Sequence, residues 1–584
     1  MFRATLVFLG CAVFLCAQTQ ILPLRDVRAG MRGTGRTVFS GDRVEEFGVE
    51  ILGVLENAGP KQSIILGRLT GREAERAGVL QGMSGSPVYV QGKLVGAVAS
   101  AFPFAKEPIA GIRPIEEMLR SGPSRSVQAG RALRWDAEPK DLLPGGGARE
   151  LTVGDTKLSE LSSVVSLAGF SSKVIEHFLP QFRALGWEPR QGGTGGGSPG
   201  PVLGDRAKLR PGSMISVQLM RGDLAMGADG TVTHIEGNAL YAFGHRFLST
   251  GSTELPFSRS EVLTLLPNVA TSFKISAARE MMGTITHDGS AAVKGELGRA
   301  ARMVSLDAAV EGVGANEAYK VELARDRLLT PFLAQVATYA FLDANERTAG
   351  AATVRVRGRV EFEGNLPALK IDNVYAGDTN VPLLASLAAA LPLTYAAQTG
   401  FDELIPRHIS LNVQASEQKR QWTVQQISST RNSVKPGEEV EFIAVLRDES
   451  GRDLSQKFSW RVPAGAPAGT LTAVLSDAST ANLTDFAATL SQAPPTAEAT
   501  VELLNALRTN RKAYLRLMYA RPGFTVNSRL MPSAPASLAL LMKRWQTGLG
   551  AAVQGQSAAV EFEMEPGVGA VAGSKSAIIE IKEW

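Results

Sequence analysis

The stretch of this sequence best suited to chemistry is GMSGSP, residues 82–87. A serine that acts as a nucleophile must project from a sharp turn, where substrate can reach it and main-chain N–H groups can face a developing oxyanion. Glycines at positions 82 and 85 permit the backbone conformations that such a turn requires. The pattern therefore indicates either an ordinary tight turn or a turn that presents Ser84.

A serine nucleophile needs a base, and the chain has five histidines. His245 follows a predicted strand over residues 239–243 and precedes a loop rich in Ser, Thr and Gly over residues 249–253. The other four histidines have less suggestive surroundings: His177 on a helix, His234 inside a strand, and His287 and His408 in polar stretches without a motif. His245 is therefore the candidate base.

These segments resemble a known family. Residues 82–100, in which GMSGSP precedes a hairpin, resemble the nucleophile segment of chymotrypsin-like serine peptidases and, more closely, that of the SpoIVB peptidase family of exported bacterial endopeptidases. The AFGH run at 242–245 is similar to the Gly-His segment of that family. The resemblance implies that Ser84 is the nucleophile, that His245 is the base, and that the N–H groups of Gly82 and Ser84 form the oxyanion hole. It gives Ser86 a structural position and implies no cofactor.

The sequence departs from the family pattern in two respects. The family's histidine precedes its serine, whereas here Ser84 comes about 160 residues before His245, an order that implies permuted or separately inserted halves. The family also has an aspartate shortly before the serine motif, and residues 68–71 offer none. Glu73, Glu75 or Glu254 could replace it, or the site is a Ser–His dyad, so the third catalytic member stays unknown.

Short alternating apolar segments and frequent turn residues predict a mainly β protein. With the resemblance, they predict a chymotrypsin-like double β-barrel built from two separated segments, the serine-bearing residues 20–120 and the histidine-bearing residues 205–310. Local signals add a helical turn over 73–77, a hairpin with a Gln91-Gly92 turn and a helix over 115–120. They also predict a turn at Asp229-Gly230 and helical spacing over 159–185.

The rest of the chain is predicted to be modular. The expected units are a signal peptide (1–17), a helical connector with a Gly-rich linker (121–204), an α/β extension (311–405), an immunoglobulin-like sandwich (406–475) and a C-terminal α/β segment (476–584). An apolar stretch at 381–397 contains Pro382 and Pro392 and is rich in alanine, which favours a buried helix over a membrane span.

The N-terminus predicts export to the periplasm or the extracellular space. A positive start at Arg3 followed by a short apolar run over 4–16 is typical of a Sec signal peptide, and a lipoprotein signal at Cys11 or Cys16 is the weaker alternative. Both cysteines of the chain lie in this segment. The mature protein would therefore have neither disulfides nor thiolate metal sites.

The bulk composition narrows the function further. The net charge is only +4 on 584 residues without a dense Lys/Arg run, which argues against nucleic acid as a partner, and no His/Asp/Glu spacing suggests a metal site. We therefore expect an exported serine endopeptidase acting on protein or peptide substrates, of unknown oligomeric state. The alternative is a non-catalytic envelope protein that keeps a peptidase-like scaffold for binding or assembly. Carbohydrate binding by the sandwich would lack an aromatic platform.

Overall fold

A computed structural model describes most of the chain. The described residues are 19–120, 134, 136–143, 150–153, 156–192, 200, 202–268, 271–312, 316–345, 349–466, 468–489, 494–519, 523–526, 529–531, 537, 551–554 and 557–583. The predicted signal peptide and most of the Gly-rich linker lie outside the described residues.

The chain forms many strands and few helices, which confirms the prediction of a mainly β protein. The strands are β1 (Arg32–Val38), β2 (Val44–Gly59), β3 (Gln62–Thr70), β4 (Pro87–Val90), β5 (Lys93–Ala101), β6 (Ile109–Pro114), β7 (Glu150–Val153), β8 (Thr156–Glu160), β9 (Ser163–Ala168), β10 (Trp187–Gln191), β11 (Met214–Gly222), β12 (Ala225–Glu236), β13 (Ala239–Ala242), β14 (Gly251–Leu266), β15 (Phe273–Asp288), β16 (Val293–Leu297), β17 (Met303–Glu311), β18 (Asn316–Ala324), β19 (Ala349–Phe362), β20 (Leu369–Thr379), β21 (Pro406–Ser416), β22 (Gln421–Ser429), β23 (Ser433–Val434), β24 (Glu439–Asp448), β25 (Asp453–Arg461), β26 (Gly469–Ser476), β27 (Ala513–Tyr519), β28 (Gly523–Val526), β29 (Arg529–Met531), β30 (Ala551–Gln554), β31 (Ser557–Met564), β32 (Ala570–Ala572) and β33 (Ser574–Ile581). The helices are α1 (Arg72–Ala77), α2 (Ile115–Leu119), α3 (Pro139–Leu142), α4 (Ser172–Ala184), α5 (Leu329–Asn345), α6 (Val381–Gln398), α7 (Ala478–Thr489) and α8 (Ala497–Asn505).

The serine-bearing half is a closed six-strand barrel. Its strands follow the order β4-β1-β2-β3-β6-β5, and pairing between β4 and β5 closes the ring. Alternate side chains fill the interior, among them Val49, Ile51, Ile65 and Val98. Closure leaves no free strand edge in this ring, so its main-chain groups are held in place around the serine segment.

The histidine-bearing half belongs to a larger sheet of 13 strands in the order β10-β9-β12-β13-β16-β15-β14-β11-β18-β17-β21-β19-β20. An additional antiparallel pairing of β11 with β12 joins β11–β16 into a second ring. Two isolated bridges connect the rings, one between Gly41 and Val262 and one between Gln81 and Phe273. The serine segment therefore lies at the contact between the two rings.

Two local predictions in this region are wrong. Asp229 and Gly230 lie inside β12 rather than in a turn, because the Asp229 carboxyl is buried and accepts hydrogen bonds from serines on other strands. The helical spacing over 159–185 holds only from Ser172 onward, since residues 163–168 form a buried strand that pairs with β12. The described part of the predicted helical connector thus contains four strands besides the helices α3 and α4.

The predicted buried helix at 381–397 is α6. Among the described residues, α6 is the one helix long and apolar enough to cross a membrane by length and composition, and 56% of its apolar window is buried inside the protein. It packs against α5 and against strands β19 and β20. These contacts support its assignment as a core helix of the extension.

The C-terminal region is organised differently from the predicted units. Residues 406–416 form β21, which belongs to the large sheet. Two further sheets, β25-β24-β22-β32 and β23-β33-β26-β27-β31, share one hydrophobic core that includes Trp422, Phe442 and Leu515. Strands after residue 475 complete both sheets, so the expected boundary between a sandwich and a separate C-terminal segment is not observed.

Candidate active site

The GMSGSP segment forms a compact double turn between α1 and β4. The N–H of Met83 donates to the Leu80 carbonyl at 3.0 Å, and the N–H of Ser86 donates to the Met83 carbonyl at 2.9 Å. Gly82 and Gly85 both have φ of +91°, a conformation that side-chain-bearing residues rarely adopt. The predicted hairpin follows directly, and its Gln91-Gly92 turn has positive φ at both positions, as a type I′ turn requires.

Two N–H groups of this turn remain available. Met83, Gly85 and Ser86 all donate their N–H groups to main-chain carbonyls. Within the described part of the chain, the N–H groups of Gly82 and Ser84 have no protein acceptor. These are the two donors that the resemblance assigns to an oxyanion hole.

Strand β12 of the histidine-bearing ring binds the main-chain carbonyls of the turn. The Thr231 N–H donates to the Ser84 carbonyl at 2.8 Å, and the Thr231 hydroxyl donates to the Gly82 carbonyl at 2.8 Å. The Thr233 hydroxyl donates to the Gly85 carbonyl at 2.7 Å. Because three carbonyls of the turn are bonded to one strand of the other ring, the orientation of its peptide groups depends on both halves of the site.

His245 reaches the same place from the end of β13. Phe243 and Gly244 have φ of +70° and +67°, and a left-handed conformation at a bulky, buried residue such as Phe243 is strained. Gly244 packs against the Val98 carbonyl oxygen, 3.0 Å from where a Cβ would stand. The same oxygen accepts the Gly85 N–H at 2.8 Å. The structure therefore brings together the two segments that carry the predicted serine and histidine.

The hydrogen bonding of His245 fixes its tautomer. Its Nδ1 lies 2.6 Å from the Arg246 carbonyl oxygen. A carbonyl can only accept, so Nδ1 carries the proton and Nε2 of the neutral ring is left with a lone pair. That Nε2 is buried without a hydrogen-bond partner among the described residues, and so is the Ser84 Oγ. No hydrogen bond joins these two atoms in this structure.

Both side chains are shielded from solvent. Ser84 is fully buried and His245 is 3% exposed. Burial lowers the pKa of His245 because it disfavours the charged imidazolium, while the nearby Glu160 carboxylate opposes this shift. The imidazole is therefore held neutral, which is the form that can accept a proton from a hydroxyl.

The three carboxylates considered for the third position are engaged elsewhere. Glu73 pairs with Arg76 at 2.8 Å, Glu75 accepts the Gly71 N–H at 3.1 Å, and Glu254 pairs with Arg302 at 2.9 Å. None of them is among the main influences on the pKa of His245.

The carboxylate that acts on His245 is Glu160, which sequence reasoning missed because no motif surrounds it. It is the last residue of β8, and its side chain is 9% exposed. Glu160 lies 3.6 Å from the Arg113 guanidinium and 3.7 Å from that of Arg246. Glu160, His245 and Arg246 together line a cavity of ≈ 10 Å³, a volume that fits about one water molecule.

Asp288 is a second residue missed from sequence. Its fully buried carboxylate accepts the N–H groups of Phe247 at 2.9 Å and Leu248 at 2.6 Å, and that of Thr250 at 3.3 Å. Burial raises the pKa of Asp288, although these N–H groups stabilise its charged form. Asp288 therefore fixes the loop that follows His245.

A groove of ≈ 280 Å³ opens beside the turn. One wall comes from the chain leading into the turn, including Gly78, Val79 and Gln81, and another includes Phe102 and Phe104. Glu160 lines both this groove and the small cavity at His245. The buried Gln81 Oε1 has no partner among the described residues. The groove thus adjoins both halves of the candidate site.

Three of the other four histidines make their contacts elsewhere. The His177 ring lies 5.2 Å from that of Tyr339, His234 stacks on Tyr241, and His408 bonds to the Ser305 hydroxyl at 2.7 Å. The fourth, His287, lies in β15 opposite Ser252 of β14. Among the described residues, no group of His, Cys, Asp and Glu side chains is arranged to hold a metal ion.

Comparison with known proteins gives one family. Residues 16–119 match the sequence model of the SpoIVB peptidase S55 family. The matched range contains Ser84 and ends before His245. No curated protein and no solved structure matches the chain.

Proposed function

We propose that this chain is an exported serine endopeptidase that hydrolyses peptide bonds in protein or peptide substrates, because residues 16–119 match the sequence model of the SpoIVB peptidase S55 family. The observation that supports this function most directly is the pair of buried, unpartnered atoms, Ser84 Oγ and His245 Nε2, on segments that meet at the Val98 carbonyl. A hydroxyl donor and an imidazole acceptor are complementary, and leaving a buried polar atom without a partner costs free energy that a catalytic role would explain.

In this mechanism the Ser84 oxygen attacks the carbonyl carbon of the scissile bond while His245 Nε2 takes the hydroxyl proton. The tetrahedral intermediate then collapses, the C–N bond breaks, and His245 gives its proton to the leaving amine. Water then attacks the acyl-enzyme while His245 Nε2 takes its proton, and His245 returns that proton to the Ser84 oxygen as the ester bond breaks and the acid product leaves. The free N–H groups of Gly82 and Ser84 stabilise the oxyanion at each tetrahedral stage.

The site works as a Ser–His dyad in which the Arg246 carbonyl holds His245 Nδ1–H. In a triad a carboxylate both fixes the tautomer and stabilises the imidazolium that forms. Here the Arg246 carbonyl fixes the tautomer, and the charge of Glu160 contributes to stabilising the imidazolium.

Substrate binds in the groove of ≈ 280 Å³ beside the turn. Because Ser84 is fully buried, the contact between the two rings must open locally for the scissile bond to reach it. Catalytic hydrogen bonds are often long in a substrate-free enzyme and tighten when substrate is bound.

The wider architecture follows the same proposal. The rings β1–β6 and β11–β16 are the two barrels of a chymotrypsin-like peptidase, in reversed chain order, and their strand pairings support this arrangement. Residues 1–17 direct export, and the two sheets that share the core around Phe442 form an immunoglobulin-like sandwich.

A fluorophosphonate probe tests the proposal, because only an activated serine displaces its fluoride. We expect the purified wild-type protein to be labelled at Ser84, with the adduct located by mass spectrometry. Labelling should be lost in Ser84→Ala and fall at least about 100-fold in His245→Ala, in line with the loss of a general base. Ser252→Ala, at an exposed serine of β14, is the matched control and should label normally. Equal labelling of wild type and Ser84→Ala, or of neither, would refute a peptidase function.

A further inference from the structure

Lys274, near the start of β15, is a buried lysine that the mechanism above does not use. Its side chain is 1% exposed and is among the largest fully buried side chains of the described structure. Lysine is almost never fully buried unless it is paired, because removing an ammonium group from water is energetically costly. The burial of Lys274 next to the candidate site therefore requires an explanation.

The position of Lys274 is fixed relative to the serine turn. Its N–H donates to the Gln81 carbonyl at 3.2 Å, and the Gln81 N–H donates to the Ser272 carbonyl at 2.8 Å. Its aliphatic stem lies against Gly82, with Cδ 3.3 Å from where a Cβ on that glycine would stand. A Cβ at position 82 would therefore be in tight contact with the Lys274 stem, so the glycine leaves room for the lysine.

The amine of Lys274 connects to the serine turn through one intermediary. Its Nζ donates to the Thr37 hydroxyl at 2.7 Å, and the Ser86 hydroxyl donates to the same oxygen at 3.0 Å. All three side chains are buried. These hydrogen bonds form a network, Lys274–Thr37–Ser86. It connects β15 of one ring, through β1 of the other, to the residue two positions after Ser84.

The surroundings of Lys274 make its amine easier to deprotonate than that of an exposed lysine. Burial lowers its pKa to about 7, and the buried Asp229 carboxyl opposes that shift. Asp229 is itself held by Ser276 and Ser166 hydroxyls, and burial raises its pKa to about 6. The Lys274 amine carries N–H donors whether or not it is protonated, so the hydrogen bond to Thr37 does not depend on its charge.

We propose that Lys274 is a positioning residue for the Ser84 site: through Thr37 and Ser86 it fixes the turn so that the Ser84 hydroxyl and the Gly82 and Ser84 N–H groups face one point. This rests on the proposed peptidase function. Thr231 and Thr233 bind the main-chain carbonyls of the turn. The Lys274–Thr37–Ser86 network binds the turn separately, through the Ser86 side chain. Catalysis depends on placement of these groups to within about 0.5 Å, so loosening one side reduces the rate more than it reduces folding.

The substitution that disturbs packing least is at Thr37. Valine has nearly the same shape as threonine but no hydroxyl, and serine keeps the hydroxyl. We measure fluorophosphonate labelling of Ser84 as a maximal rate constant and a half-saturating probe concentration, together with the urea midpoint of unfolding. We expect Thr37→Val to lower the maximal rate constant about tenfold or more at an unchanged half-saturating concentration, and Thr37→Ser to restore most of it.

Lys274→Met and Ser86→Ala each remove one end of the Lys274–Thr37–Ser86 hydrogen-bond network. Each should slow labelling to a similar extent, and the double variant should be little slower than either one, because both remove one connected network. Lys320→Met, at an exposed lysine of β18, is the control and should leave labelling unchanged.

The outcomes separate the two proposals. Wild-type protein that is not labelled at Ser84 overturns the peptidase function and this inference with it. Wild-type labelling with a folded Thr37→Val variant that reacts at the wild-type rate overturns the role of Lys274 alone. If Lys274→Met does not fold, Thr37→Val and Thr37→Ser still test the proposal. A positioning role is contradicted if the labelling rate falls in parallel with the urea midpoint, whether or not the hydroxyl is kept.

Discussion

The carbonyl oxygen of Ser84 accepts a hydrogen bond from the N–H of Thr231 at 2.8 Å, which joins the serine turn of one ring to strand β12 of the other. The two residues are 147 positions apart in the chain. The serine turn is therefore not a self-sufficient local motif. Its geometry is completed by the ring that also carries His245, so the two halves of the site are assembled together.

Gly85 gives the most direct test of this assembly. A Cβ at this position would stand 2.1 Å from the Thr231 oxygen and 2.5 Å from the Phe243 nitrogen, and φ is +91°. Because strain and overpacking each cost about 1–3 kcal/mol, we expect Gly85→Ala to destabilise the protein by about 2–6 kcal/mol and to abolish labelling of Ser84. Urea unfolding and probe labelling measure the two effects.

Gly92 is the matched control, since its φ is also positive at +75° but nothing lies within 4 Å of its Cβ position. Gly92→Ala should cost only about 1 kcal/mol from backbone strain and leave labelling intact. Equal effects of the two substitutions would show that the contact between the rings does not constrain the turn.

The local parts of this site could be predicted from sequence, because their determinants are close along the chain. The glycines of the turn, the Gln91-Gly92 hairpin and the Gly78 that ends α1 all act within a few residues. The turn predicted at Asp229-Gly230 fails for the opposite reason. Asp-Gly is a strong local turn signal, but Asp229 is held in a strand by Ser166 and Ser276, at sequence separations of 63 and 47 residues.

The supporting residues could not be predicted for the same reason. Lys274 meets Thr37 across 237 residues, and Glu160 approaches His245 from a strand with no recognisable motif. A single sequence shows which residue types are present, but it does not show which distant strands the rings bring together. The family resemblance gave candidates for the serine, the histidine and the oxyanion donors, and the non-local contacts explain how they are held.

Glu160→Gln distinguishes a dyad from a triad. Loss of an orienting carboxylate from a triad lowers the rate about 10⁴-fold because the wrong tautomer forms. Here the Arg246 carbonyl holds Nδ1–H, so we expect Glu160→Gln to slow labelling of Ser84 by only about 3- to 30-fold, through weaker stabilisation of the imidazolium. A loss above about 1,000-fold in a folded variant would identify Glu160 as the third catalytic member. Glu254→Gln, whose carboxylate pairs with Arg302, is the control for charge removal.

The pH dependence of labelling follows from the burial of His245. Burial lowers its pKa below the ordinary value of 6.5, so the ring stays neutral, and able to accept a proton, to more acidic pH than an exposed histidine. We expect the rate constant to be at its plateau at pH 7 and to fall with a midpoint below 6.5. Glu160→Gln should move that midpoint lower still, because Glu160 raises this pKa. A midpoint above 6.5, measured over pH 4.5–8, would show that His245 is not the buried neutral base.

Asp229 should make stability fall as pH rises through mildly acidic values. Its folded-state pKa is raised by burial from 3.8 to about 6, so between about pH 4 and pH 6 the folded protein keeps a proton that the unfolded chain has released. Unfolding free energy therefore decreases with rising pH in that window, by at most about 3 kcal/mol from this group. Asp229→Asn mimics the neutral carboxyl and should remove the decrease, which urea midpoints at pH 4, 5 and 6 would detect. Asp402→Asn, with 86% of the aspartate side chain exposed, should leave it in place, and an unchanged profile in Asp229→Asn would mean that the buried carboxyl is already ionised at pH 4.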